Sequence, residues 1–199
     1  MDIEKLKRLK PTAKNWGEVV KQVCSVLTSQ PNEIDWSQLL TAVAHFPDKV
    51  RGAHLWTQKW STVELAPLMQ LMTTMRVNRT TYTAKFGTFC RSPYSKNIKK
   101  IALDYRDSDD DYVSISALLQ SKHFTLLESF RLKHYVLTDQ EYDLIVQCVG
   151  NFPALKRVDL LGGESGYTEL AKELGQNGIV VTQSRSYHEF VEQGYDFWK

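Results

Sequence analysis

The stretch LKRVDLL, Leu155 to Leu161, sets apolar side chains at its first, fourth and sixth positions: Leu155, Val158 and Leu160. The spacing recurs upstream. IKKIALD carries Ile98, Ile101 and Leu103, and LESFRLK carries Leu127, Phe130 and Leu132, so the starts lie 29 and 28 residues apart. A short strand cannot bury its apolar side alone, and a fixed period implies that successive strands stack and share one core. Each copy is followed by a polar turn and a helix-like run. After Leu132, Thr138 and Glu141 have the spacing of a capping box, and Tyr142, Ile145, Val146 and Val149 fall on one helical face. After Leu160, Leu170, Ala171 and Leu174 form an apolar stripe that Gly175 and Gly178 would end.

A strand with the pattern L-x-x-L-x-L in units of roughly 20–29 residues resembles the leucine-rich repeat family, and the long period resembles its ribonuclease-inhibitor-like branch, with a helix in each unit. The resemblance implies an α/β solenoid of adjacent parallel strands in sequence order with helices on the outside. It covers about the last hundred residues. The family's turn Asn or Cys is replaced here by Arg106, Tyr135 and Gly163, so the repeats are degenerate. Ile179 to Val181 reads as one further irregular strand, and Ser186 with Glu189 as the start of a closing aromatic cap.

The first half is less regular. Residues 14–30 and 33–46 read as helices, the first with Trp16, Val19, Val20 and Val23 on one face, the second with Trp36, Leu39, Leu40 and Val43. Asp35 and Gln38 signal a cap before the second. Val50, Ala53 and Leu55 repeat the strand spacing loosely, Ser61 and Glu64 open a helix through TVELAPLMQLMTTM, and Tyr82, Ala84 and Phe86 alternate as in a half-buried strand. The expected organisation is a helical N-terminal cap over residues 1–47, then an imperfect solenoid with a C-terminal cap over 48–199.

Composition narrows the function classes. With 42% hydrophobic and 24% charged residues and a net charge of +2, the chain is too apolar for disorder and too nearly neutral to imply a polyanion partner by its total charge. No apolar run reaches a membrane span, and the start MDIEKLKRLK lacks the apolar core of a secretory signal. The odd, scattered cysteines Cys24, Cys90 and Cys148 argue against a disulfide framework and for a reducing, cytoplasmic setting.

No motif specifies a reaction, a metal or a cofactor. Asp107, Asp109 and Asp111 match the opening of a calcium loop, but Tyr112 and Leu118 stand where its glycine and glutamate belong. Gly162 to Gly166 precedes a helix without a phosphate-loop ending. The histidines His45, His54, His123, His134 and His188 show no ligand spacing, and Cys148 lies in an apolar helical face. The resemblance implies a noncatalytic protein-interaction module binding another protein through the strand face. Side-chain alternation assigns Lys100, Asp104, Ser129, Arg131, Lys133, Arg157 and Asp159 to that face, with Arg131 and Arg157 as anchors. A structural alternative is that Arg131 and Asp159 pair across adjacent strands. A second functional reading is nucleic acid bound by residues 76–100, where Arg76, Arg79, Lys85, Arg91, Lys96, Lys99 and Lys100 interleave with Tyr82, Phe86, Phe89 and Tyr94, and a third is an enzyme with an unrecognised site.

Overall fold

A computed structural model describes residues 1–54, 63–78, 83–104, 115–133, 137–161 and 167–184. Three helices come first: α1 (Ile3–Lys7), α2 (Ala13–Ser29) and α3 (Trp36–Val43). Each begins on an oxygen-bearing side chain that accepts from the backbone N–H three residues on, from Asp2, Thr12 and Asp35 respectively. α2 buries Trp16, Val19, Val23 and Leu27, spaced for one helical face. The Trp16 indole N–H donates to the Gly52 carbonyl, so the helical segment meets the first strand directly.

Six strands follow, β1 (Gly52–His54), β2 (Thr74–Asn78), β3 (Lys100–Asp104), β4 (Ser129–Lys133), β5 (Arg157–Leu161) and β6 (Val180–Ser184). They form one sheet in sequence order, and every neighbouring pair is parallel. Between them lie α4 (Thr83–Cys90), α5 (Ser116–Leu119), α6 (Asp139–Cys148) and α7 (Thr168–Gln176). α4 packs on α5, α5 on α6 and α6 on α7.

The register reproduces the sequence pattern. Ala53, Met75, Ile101, Phe130, Val158 and Val181 stand in one row across the sheet. Val77, Leu103, Leu132, Leu160 and Gln183 form the next row on the same face. Phe130, Leu132, Ile145, Val158 and Leu160 are buried in one cluster with helical residues such as Leu118, Leu170 and Leu174. This face is the core.

Several elements differ from the sequence reading. The described part of TTYTAKF, from Thr83 to Phe86, is helical, since Thr83 begins α4, and Tyr82 lies outside the described residues. Phe86, Phe89 and Cys90, at helical spacing, bury together, and this outweighs the short alternation. The helix expected after Ser61 is a 3-10 helix over Val63–Leu71 containing Pro67, which has no N–H to continue an α-helical ladder. The chain then enters β2, and Met72 just before it with Met75 and Val77 within it repeat the first, fourth and sixth positions and are buried. The acidic run 107–111, the glycine run 162–166 and the closing cap after Ser186 lie outside the described residues.

The exposure expected of the second sheet face is corrected. Ser129, Arg131 and Asp159 do point away from the leucines, yet they are 8%, 5% and 1% exposed, and Ala102 is buried with them. Alternation fixes the side a residue takes but not its contact with water. Parallel sheets are commonly covered on both faces.

Candidate functional site

On that second face the candidate residues come together as three rows. Lys100, Ser129 and Arg157 form the first, and Ala102, Arg131 and Asp159 the second. Asp104 and Lys133 continue in the third, with Leu161 after them. Thr74, Arg76 and Asn78 extend the rows onto β2.

The centre is an ion network. Arg131 and Asp159 are directly opposite on adjacent parallel strands, where chains run about 4.8 Å apart. The Asp159 carboxylate accepts from Arg157 Nε at 2.5 Å through Oδ1 and from Arg131 Nη2 at 3.5 Å through Oδ2. Arg157 sits two residues before Asp159 on the same strand and therefore on the same face. The Asp159 side chain is 2% exposed, Arg131 6% and Arg157 26%. The cross-strand pairing of Arg131 with Asp159 is therefore real. It places Arg131 inside the protein, whereas Lys100, Lys133 and Arg157 remain half-exposed around it.

The basic segment divides in a similar way. Phe86 and Phe89 belong to the core, so neither offers a face on which a base could stack. Lys99 is held by Asp48 at 2.7 Å, whereas Arg91 and Lys96 are exposed. Arg79 and Tyr82 lie outside the described residues.

No cluster of three metal-ligating side chains occurs among the described residues. Burial pushes the Cys90 thiol far up, against a weaker opposing effect of Arg91, so it is held as the un-nucleophilic thiol. Glu141, the carboxylate of the capping-box spacing, is 3% exposed. Its Oε2 accepts from the Thr138 amide and hydroxyl, both at 3.1 Å, closing the capping box of α6. Its Oε1 accepts from the Ile115 amide at 3.3 Å, at the start of α5. One carboxylate thus ties two consecutive helices. Burial raises its pKa, and the bonds from Thr138 and Ile115 oppose that rise. The spacing revealed the capping box, but the contact to Ile115 spans 26 residues and has no local signal.

No helix among the described residues is long and apolar enough to cross a membrane. No protein-family model, curated protein or solved structure matches this chain.

Proposed function

We propose that the chain is a noncatalytic protein-interaction module, a degenerate leucine-rich-repeat-like solenoid that holds another protein against its second sheet face. The observation that carries this reading is the register: six parallel strands in sequence order repeat one apolar row and, behind it, rows of charged side chains. Repetition of this kind builds a broad surface rather than an enclosed pocket. The contacts are Lys100, Lys133 and Arg157 around a rigid Arg131–Asp159 centre, with Asp104 and Ser129 in the same rows. The roles of Arg131, Asp159 and Ser129 are to support this surface rather than to reach out from it. A cytoplasmic setting belongs to the same reading, supported by three free cysteines.

The test is affinity capture with the intact chain, with mass spectrometry to identify the retained protein, followed by titration of Lys100→Glu and Lys133→Glu against it. Charge reversal at an interface weakens binding by repulsion as well as by loss of contact, so each variant should bind at least tenfold more weakly with an unchanged melting temperature. Retention of the partner by both variants, with loss in Arg76→Glu/Arg91→Glu, would move the site to the basic segment. Salt dependence then separates the partner classes, because polyanion binding falls by decades over a modest rise in salt.

A further inference from the structure

We propose that the last repeat, α7 with β6, is a detachable end unit that opens as one piece while β1 to β5 stay closed. Every earlier junction in the sheet carries a side-chain bond from one repeat to a backbone carbonyl of the repeat before it. The Thr73 hydroxyl donates to the Asp48 carbonyl at 3.0 Å, and the Asn97 side-chain amide donates to the Gln70 carbonyl at 2.7 Å. The Ser121 hydroxyl donates to the Cys90 carbonyl, and the Asn151 side-chain amide to the Leu119 carbonyl at 3.1 Å. Three of these acceptors close a helix. Gln70 lies in the last turn of the 3-10 helix over Val63–Leu71, and Cys90 and Leu119 are the final residues of α4 and α5. Such carbonyls have no partner within their own helix, so each donor satisfies an orphaned acceptor and pins one repeat to the next.

This ladder ends at the last junction. Asn177, in the turn before β6, donates to the Glu173 carbonyl at 3.2 Å, inside its own repeat. The ion network ends there too. Asp159 accepts from Arg131 on β4 and Arg157 on β5, and the residue beside it on β6 is Thr182. α7 does meet the repeat before it through Tyr167, whose hydroxyl accepts from the Leu137 amide, but at 3.5 Å this bond is longer than the usual range. The first turn of α7 has no side-chain cap, in contrast to the capping box of α6. Within the unit the parts are joined closely. The Ile179 amide donates to the Leu174 carbonyl at 3.1 Å, and Leu170, Leu174 and Ile179 are buried together.

The stability of stacked repeats is a sum of repeat and neighbour-interface contributions, so the weakest interface sets where the stack opens. Release of β6 takes Thr182 from beside Asp159, and water then reaches the flank of the Arg131–Asp159 centre. On the interaction reading above, on which this consequence rests, the open end loosens the binding face.

The experiment is native-state amide exchange on the full chain, corrected for intrinsic rates; it uses no partner, so its outcome is separate from that of the interaction reading. The Val180 amide bonds to Lys156 and the Ala171 amide to Tyr167, whereas Glu128 bonds to Lys99 and Lys156 to Glu128. Val180 and Ala171 should exchange together, at least about a hundredfold faster than Glu128 and Lys156. Their dependence on urea should be shallower, because less surface opens. Ile101→Val weakens the buried core at β3, away from the last junction. It should lower protection at Glu128 and Lys156 by about two- to tenfold and leave Val180 and Ala171 unmoved, since the body is intact in both the closed and the open forms of the end unit. Equal protection at all four amides, or a parallel fall at all four in Ile101→Val, would overturn the proposal. So would exchange of Val180 and Ala171 at different free energies, which would mean that the helix and the strand do not open as one piece.

Discussion

Replacing Asp159 by asparagine keeps the side-chain shape and removes the charge that two guanidinium groups share. Asp159 is nearly sealed from water at 2% side-chain exposure, as is Arg131 at 6%, whereas Arg157 is 26% exposed. Breaking a buried ion pair by removing one partner destabilises by about 3–5 kcal/mol, because the remaining charge stays desolvated. Arg157 can turn towards solvent and recover hydration, but Arg131 cannot. The loss should therefore fall near the lower end, about 3 kcal/mol. With a urea slope of about 3 kcal/mol per M, the unfolding midpoint moves down by about 1 M. Arg131→Met supplies the control. In its background Asp159→Asn should cost at least ~1 kcal/mol less than in the wild type, since residues in direct contact couple by about 0.5–3 kcal/mol. Urea melts followed by far-ultraviolet circular dichroism read all four proteins. Asp159→Asn within ~0.5 kcal/mol of wild type would refute the reasoning, because such a carboxylate must be hydrated and the face open.

Leu132→Ala and Leu160→Ala each delete a buried side chain from the core row and should lose about 2–5 kcal/mol in the same melts. Leu132, on β4 with three strands to one side and two to the other, should be more costly than Leu160, on β5 with one strand beyond it, because coupling passes between neighbouring strands. Thr138→Ala removes the side-chain acceptor of the α6 capping box and should lower stability by about 1 kcal/mol. Glu141 has a carboxyl raised above its unfolded value, so between the two values the native state binds more protons than the unfolded chain. Its burial penalty is fully present above the raised value and relieved as pH falls. The wild type should gain on Glu141→Gln as pH is lowered towards the ordinary carboxylate range, and a difference that stays flat or reverses would contradict the raised value.

The sheet was legible where the repeat used aliphatic residues. Ile98, Leu127 and Leu155 announced β3, β4 and β5, and the register sets Ile101, Phe130 and Val158 side by side. β2 went unread because methionines, Met72 and Met75, with Val77 fill the same positions around Thr73 and Thr74, while the preceding leucines suggested a longer helix. In α4 a three-residue alternation pointed to a strand, and only the burial of Phe86, Phe89 and Cys90 on one side reveals the helical period. The candidate face was legible in membership but not in exposure. Period-two alternation assigns Arg131 and Asp159 to one side, but their burial depends on contacts outside the strand, and a strand pattern carries no record of those. The contacts of His45 to Leu9 and of Glu141 to Ile115 join residues far apart in sequence, so no local motif marks them.

The central claim, parallel strands stacked in sequence order with one repeating register, is tested most directly by couplings measured through backbone hydrogen bonds in solution. The Lys99 amide should couple to the Thr73 carbonyl, Glu128 to Lys99, Lys156 to Glu128 and Val180 to Lys156, one unbroken ladder at the entry to β2 through β6. The predicted result is all four couplings in that order. Pairing of any of these amides with a strand in antiparallel register, or with a strand that is not its neighbour in sequence, would contradict it.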